Sequence, residues 1–427
     1  MAVLENAVLR EALHSRRLDS GLSVYVLPKP GFARKYATFA THYGSVDSEF
    51  VVPGEPTPTR VPDGIAHFLE HKLFEEEHGN VFDDFAKLGA TTNAYTDYTT
   101  TTYLFSCVDN FWEAFEVLLN FVQHPYFTDE NVAKEKGIIT QELLMYRDDP
   151  ENRVRTGMME ALFSRHPIRV DIGGTPESVS HITKEELYRC YRTFYHPSNM
   201  ALFVVGDVDP ERVFDQVAAN QAKKDYEAQA EIRRVFPAEP KAVGEPAKRQ
   251  QMAVAQPLYR LGFKDTRLGL WGRELAEQDA ATRIALEALV GMGSSLFQSL
   301  YQEGLVDLGF DADYHGEKSL GYSTLGGETK DPERLNAGLL AGIEKLRQSG
   351  LSADDFDRAH KKFHGDTLRL FNNFGGLAYF FNHWLFRGVT IFEYLDVVAG
   401  QRLETVNQRL REHLDPAYHA VSVVAPK

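Results

Sequence analysis

The sequence predicts an α+β protein built twice: two homologous halves, each a mostly antiparallel sheet with helices packed on one face, joined by a linker. Three observations predict it. Strand-like and helix-like stretches are intermixed, with hairpin-like pairs rather than the regular alternation of a parallel α/β sheet. A helix-then-strand unit recurs. Residues 127–142 read FTDENVAKEKGIITQE and residues 351–366 read LSADDFDRAHKKFHGD. Each opens with an apolar residue, then a hydroxyl suited to cap a helix, then first-turn carboxylates. HPSNMALFVVGDV (196–208) and DPAYHAVSVVAPK (415–427) follow as proline turns into short apolar strands. The two offsets, 224 and 219 residues, nearly agree. Finally, AEPKAVGEPAKRQQ (238–251) is rich in proline and charge and poor in large apolar residues, as a linker is. The expected division is a first half over 1–230, a linker over 231–252 and a second half over 253–427.

Within the first half, GLSVYVLPKP (21–30) and YATFATHYGSV (36–46) read as strands. GIAHFLEHKLF (64–74) reads as a helix with an apolar face, and FDDFAKLGA (82–90) as a short helix closed by Gly89. TTNAYTDYTTTTYLFSC (91–107), rich in threonine and tyrosine, reads as strand. FWEAFEVLLNFV (111–122) has a helical period, and residues 128–146 form a helix that ends before Pro150.

Bulk properties limit the function classes. Of 427 residues, 43% are hydrophobic and 25% charged, as in a soluble globular protein. A net charge of −15 argues against nucleic-acid binding, which needs a basic face. No apolar run approaches the ~20 residues that span a bilayer, so no membrane is expected. The first 21 residues lack the basic, apolar and small-residue order of a secretory signal. Cys107 and Cys190 lie in apolar surroundings and read as buried free thiols, which fits a reducing cytoplasm.

The chemistry sits in residues 64–74. His67 and His71 are one helical turn apart on one face, and Glu70 falls on the same side. Two imidazoles at this spacing suit Zn²⁺, and a glutamate beside them can take a proton from water. The order H-x-x-E-H is the inverse of the commoner H-E-x-x-H. A hydrolytic zinc wants a third protein ligand and an open fourth position. The helix NVAKEKGIITQELLMYRDD offers Glu135 and Glu142, on one face but roughly 10 Å apart along the axis. Only one can be the ligand, and the residues alone do not choose. No fourth candidate ligand lies nearby; His78, beyond the acidic run 75–77, reads as a loop residue.

GIAHFLEHKLF, LGATTNAYTDYTTTTY, KEKGIITQELLMYRDDP and FYHPSNMALFVVGDVD, in this order, resemble the pitrilysin, insulysin and mitochondrial processing peptidase family. These are the zinc peptidases with the inverted motif, and the likeness is closest to the short bacterial cytoplasmic members. The resemblance implies a zinc endopeptidase acting on peptides or small unfolded polypeptides, with one Zn²⁺ per chain. It implies His67, His71 and Glu142 as ligands, Glu70 as general base and Glu135 as the supporting acid. It also implies that Asn93, Ala94, Tyr95 and Thr96 form an edge strand that pairs with the peptide. The alternative is a catalytically silent subunit of the same fold for peptide binding or assembly. Such members usually lose the motif, which is intact here.

The second half repeats the fold without the metal set. IALEALVGMGSSLFQSLY (284–301) stands where the motif helix should be and has no histidine; Asp366, which matches Glu142, has no histidine pair to join. Many catalytic members carry an arginine and a tyrosine seven residues apart after a leucine. Aligned on Leu300, those positions hold Tyr301 and Leu308. The resemblance therefore implies a heterodimer with a related chain that supplies the pair, with a homodimer as runner-up. Tyr301 or Tyr314 could stand in for the missing tyrosine.

Overall fold

The computed structural model describes residues 2–427. They fall into two compact units. The first holds residues up to Leu143, Val170–Phe236 and Asn372–His383; the second holds Leu144–Arg169, Pro237–Phe371 and Trp384–Lys427. Each unit thus takes one segment from the other sequence half.

The first unit is built on a sheet of seven strands: β1 (Ala2–Asn6), β2 (Glu11–Arg17), β3 (Ser23–Pro28), β4 (Lys35–Thr41), β5 (Thr91–Thr96), β6 (Thr101–Cys107) and β7 (Met200–Gly206). Their order is β1-β2-β3-β7-β4-β6-β5. Only β7 and β3 pair in parallel. The stretch 91–107, expected as strand, is a hairpin. Asp97 turns it, accepting the amides of Thr99 and Thr100 at 2.8 and 2.7 Å. This leaves β5 at the sheet's edge.

Strand alternation sends Val24, Val26, Leu202 and Val204 into the main core. There they meet α1 (Ile65–Lys72) through Phe68 and Leu69, and α2 (Asp129–Arg147) through Ile139 and Leu143. Tyr25 and Phe203 face the other way. A helix from the second half, Phe374–Leu385, covers them, with Phe381 rings 5.1 and 4.1 Å from theirs.

The second unit repeats this plan. Its strands are β8 (Ala247–Met252), β9 (Leu258–Lys264), β10 (Asp311–Gly316), β11 (Gly321–Glu328) and β12 (His419–Pro426), in the order β8-β12-β9-β11-β10. Again the one parallel pair is β8 with β12. Position for position this matches β3-β7-β4-β6-β5. Tyr259, Leu261 and Phe263 pack into a core with Ile284 and Leu289 of α4 (Arg273–Val290). On the opposite face lies α3 (Pro150–Leu162), carried over from the first half. Gly262 makes room for it, since a Cβ there would fall 2.4 Å from Met158 Sδ.

The stretch expected as linker over 231–252 therefore ends in strand β8. The centre of AKRQQM, KRQQ, is wholly polar because β8 is an edge strand, and every second position along it is exposed. The expected helix caps are present in both copies. Thr128 Oγ1 accepts the Asn131 amide at 3.1 Å, and Ser352 Oγ accepts that of Asp355 at 3.1 Å.

Candidate metal centre

The centre begins with Gly64, the residue that starts α1. Its φ is +89°, and a Cβ there would lie 2.2 Å from the Gly173 carbonyl oxygen. Only glycine accepts both conditions. The close approach packs the loop 171–174 against the start of α1, beside His67. Along α1, Ile65, Ala66, Phe68 and Leu69 are buried. The remaining face presents His67, Glu70 and His71.

That face meets α2. His67 Nε2 lies 3.8 Å from Glu142 Oε1, and His71 Nε2 lies 3.5 Å from Glu142 Oε2. One ligand atom from each of the three residues falls within 4.8 Å of the others. No other trio of His, Cys, Asp or Glu side chains converges in this way among the described residues. Two imidazoles and one carboxylate, with a side left open, is the donor set of a hydrolytic Zn²⁺ site. The residues present fit that ion. Asp366, on α5 (Ala353–Arg369), is engaged instead by Lys362 and Arg369, at 2.7 and 2.8 Å.

Glu135 stands one level back. Its Oε1 is 3.1 Å from His71 Nδ1, the nitrogen turned away from the trio. A carboxylate there fixes the ring and its tautomer. Burial would lower the His71 pKa, but the Glu135 hydrogen bond and the surrounding carboxylates raise it overall. Burial acts on Glu135 in the opposite sense to His71, and its bond to the ring brings it below the usual carboxylate range. On His67, burial and then the neighbouring His71 push the pKa down to about 4. Its Nδ1 is enclosed without a hydrogen-bond partner, and the Asp171 carboxylate acts on the ring electrostatically.

Glu70 is not one of the converging three. Burial raises its pKa, and a 2.7 Å hydrogen bond from Thr96 Oγ1 opposes the rise. The structure thus brings Thr96, expected at the peptide edge, onto Glu70. Asn93 is exposed on β5, and its Oδ1 accepts the Ala94 amide at 2.9 Å. The Tyr95 ring turns to the opposite face, 5.5 Å from that of Tyr379. Sequence reasoning missed Asp171 and the Thr96–Glu70 bond, since neither carries a spacing signal.

In the second unit, Tyr301 is 46% exposed and Leu308 64% exposed. Tyr314 is buried; its hydroxyl donates to Asp265 Oδ2 at 2.7 Å and accepts from Gln278 Nε2 at 3.0 Å. That hydroxyl is committed to the core, so Tyr314 does not replace the missing tyrosine.

Comparison with known proteins finds relatives over the whole chain. Residues 58–175 match the family model described as Insulinase (Peptidase family M16), and residues 181–363 match Peptidase M16 inactive domain. A Bacillus subtilis (strain 168) protein named uncharacterized zinc protease YmfH is 42% identical over 424 residues, 99% of each chain. The crystal structure of an M16-like peptidase from Alicyclobacillus acidocaldarius superposes with a TM-score of 0.95 at 39% identity, covering 100% of both chains. Pitrilysin shares the fold, with a TM-score of 0.76 at 16% identity over 100% of this chain and 46% of its own. With a zinc-type donor set on a twice-built fold and a full-length relative at this identity, the chain belongs to peptidase family M16.

Proposed function

We propose that the chain is a cytoplasmic zinc endopeptidase for peptides and small unfolded polypeptides, and that it works as the metal-bearing subunit beside a related chain. The convergence of His67, His71 and Glu142, with Glu70 one position before His71, supports this best. His67, His71 and Glu142 would hold the ion, and Glu135 would keep His71 turned toward it. Bound there, Zn²⁺ supplies Lewis acidity toward a water and a peptide carbonyl. Glu70 receives the proton of the attacking water and returns it to the leaving amine. Burial favours its protonated form, which helps it carry the proton between those steps. The peptide lies along β5 as an added strand, its carbonyl replacing the Asn93 side chain on the Ala94 amide.

Zinc content measured beside cleavage of a quenched-fluorescence peptide tests this reading. Glu70→Gln should keep the metal and lose hydrolysis by a factor of roughly 10² or more. Glu142→Gln should lose most of the zinc. A Glu70→Gln protein stripped of metal, or a fully active Glu142→Gln protein, would refute the roles assigned.

A further inference from the structure

His67 and His71 are served unequally on the sides they turn away from the converging trio. His71 Nδ1 meets Glu135 Oε1 at 3.1 Å. His67 Nδ1 is enclosed and has no hydrogen-bond partner. Its Nε2 is the nitrogen that faces Glu142, at 3.8 Å. An imidazole that gives Nε2 to a metal carries its proton on Nδ1. A buried N–H needs an acceptor, and an atom this enclosed must find one in the protein rather than in solvent.

The chain beside His67 is built to supply one. The loop 171–174 is pressed onto the start of α1 at three points. A Cβ on Gly64 would run into the Gly173 carbonyl, and one on Gly174 would run into the Asp63 carbonyl. Ser178 Oγ donates to that same Asp63 carbonyl at 2.8 Å. Inside the loop, Asp171 Oδ1 accepts the Gly173 amide at 3.0 Å, and the Asp171 carbonyl accepts the Gly174 amide at 2.8 Å. These bonds hold the carboxylate on the His67 side. Gly173, unlike Gly64 and Gly174, has no positive φ that would demand glycine. What it provides is space. A Cβ there would stand 3.5 Å from His67 Nδ1 and 3.6 Å from Asp171 Oδ1, with Leu143 Cδ2 on the third side. The ring nitrogen and the carboxylate thus border one gap that a side chain at position 173 would fill.

Other carboxylates are already placed. Glu142 lies on the Nε2 side, and Glu135 is bonded to His71. Asp171 is the remaining carboxylate whose field reaches the His67 ring. We infer that Asp171 is the positioning residue of His67, accepting its Nδ1–H across the Gly173 gap when Nε2 holds the metal, as Glu135 does for His71. This role rests on the zinc centre proposed above. Each imidazole then has a carboxylate of its own, one from α2 and one from the loop, and each ring is fixed in tautomer and direction.

Two measurements on the full chain test this: zinc affinity by competition with a chromophoric chelator, and the imidazole N–H resonances of the zinc-loaded protein labelled with ¹⁵N-histidine. Asp171→Asn keeps an acceptor for the Gly173 amide and removes the charge. It should weaken zinc binding by about 10- to 100-fold while the metal-free chain melts as before. Glu135→Gln should weaken binding similarly, and the two variants should shift different imidazole resonances, one for each histidine. Ser178→Ala loosens the same loop without touching a carboxylate, so it should lower the melting temperature and leave zinc affinity unchanged. A parent chain that binds no zinc would refute the centre itself and this role with it. Where the parent binds zinc, three results would overturn the role of Asp171 alone: unchanged affinity in Asp171→Asn, one resonance moved by both carboxylate variants, or an equal loss of affinity in Ser178→Ala.

Discussion

Thr96 and Glu135 show how single side chains tune the centre. Each touches a residue of the reaction rather than substrate or metal. Glu70 must be a carboxylate to accept a proton, and burial opposes that state. The Thr96 hydroxyl, at 2.7 Å, stabilises the charged form. Thr96→Val keeps the shape and removes that donor, so the Glu70 pKa should rise. The acidic limb of the pH–rate profile should then move to higher pH, with the alkaline limb unmoved. An acidic limb that stays in place would show that Glu70 does not set it. The sequence made His67, Glu70 and His71 legible because a helical turn has fixed geometry. Glu135 and Glu142 were legible as a pair, but which of them faces the imidazoles depends on how α2 seats against α1. That seating is tertiary, and no local spacing encodes it. Asp171 and the bond from Thr96, expected only as a peptide-edge residue, to Glu70 join elements far along the chain, so only the folded structure reveals them.

Elements decide which backbone is open to a peptide. β5 is the last strand of its sheet, and Asn93 covers one of its amides with its own side chain. Proline is tolerated at an edge where the lost N–H faces away from the ladder. Ala94→Pro should leave the fold intact and raise KM by roughly 2- to 10-fold, the worth of one net hydrogen bond. Asn93→Ala should leave KM unchanged or lower, because it uncovers the amide. An unaltered KM in Ala94→Pro, with an unaltered melting temperature, would exclude this edge as the docking strand. The same distinction explains where sequence reading of elements fell short. β3 carries its signal in apolar residues at alternate positions, and β7, buried along its whole length, in a continuous apolar run. β8 has no such signal because KRQQ lies on an edge, and its place is set by pairing with β12. The hairpin of β5 and β6 was masked because threonine continues across the turn, where Asp97 alone marks it.

At the scale of the molecule, the second unit holds a buried charged cluster and none of the candidate metal ligands. His413 is buried between Ser323, Arg409 and Asp265, and burial, reinforced by Arg409, pushes its pKa down to about 3. Its ordinary value is 6.5, so the unfolded chain takes up the proton first as pH falls. The stabilisation is complete above 6.5 and is lost from there down to about 3. At pH 5 the loss from this one group is about 2 kcal/mol. Asp265, held down from its ordinary 3.8 to about 2, adds a loss of its own only at the acid end of that range, below the pH 7 to pH 5 window. Melting temperature should therefore fall between pH 7 and pH 5, and His413→Gln should flatten the fall while starting lower. An equally steep fall in the variant would assign the effect elsewhere. The other property at this scale is completeness. An oxyanion needs donors beyond the metal, and losing one can cost on the order of 10²–10³ in rate. Leu308 has no donor to give, and the Tyr314 hydroxyl is committed to Asp265. Exposed Tyr301 is left as the one candidate among the three residues considered. If a related chain supplies the missing pair, the purified chain should bind one zinc yet cleave slowly. Adding a paralogous chain that lacks H-x-x-E-H but carries the arginine and tyrosine should then raise turnover by about 10² or more, with both chains eluting together in size-exclusion chromatography. Full turnover by the isolated chain, undiminished in Tyr301→Phe, would show that the site needs neither partner nor substitute.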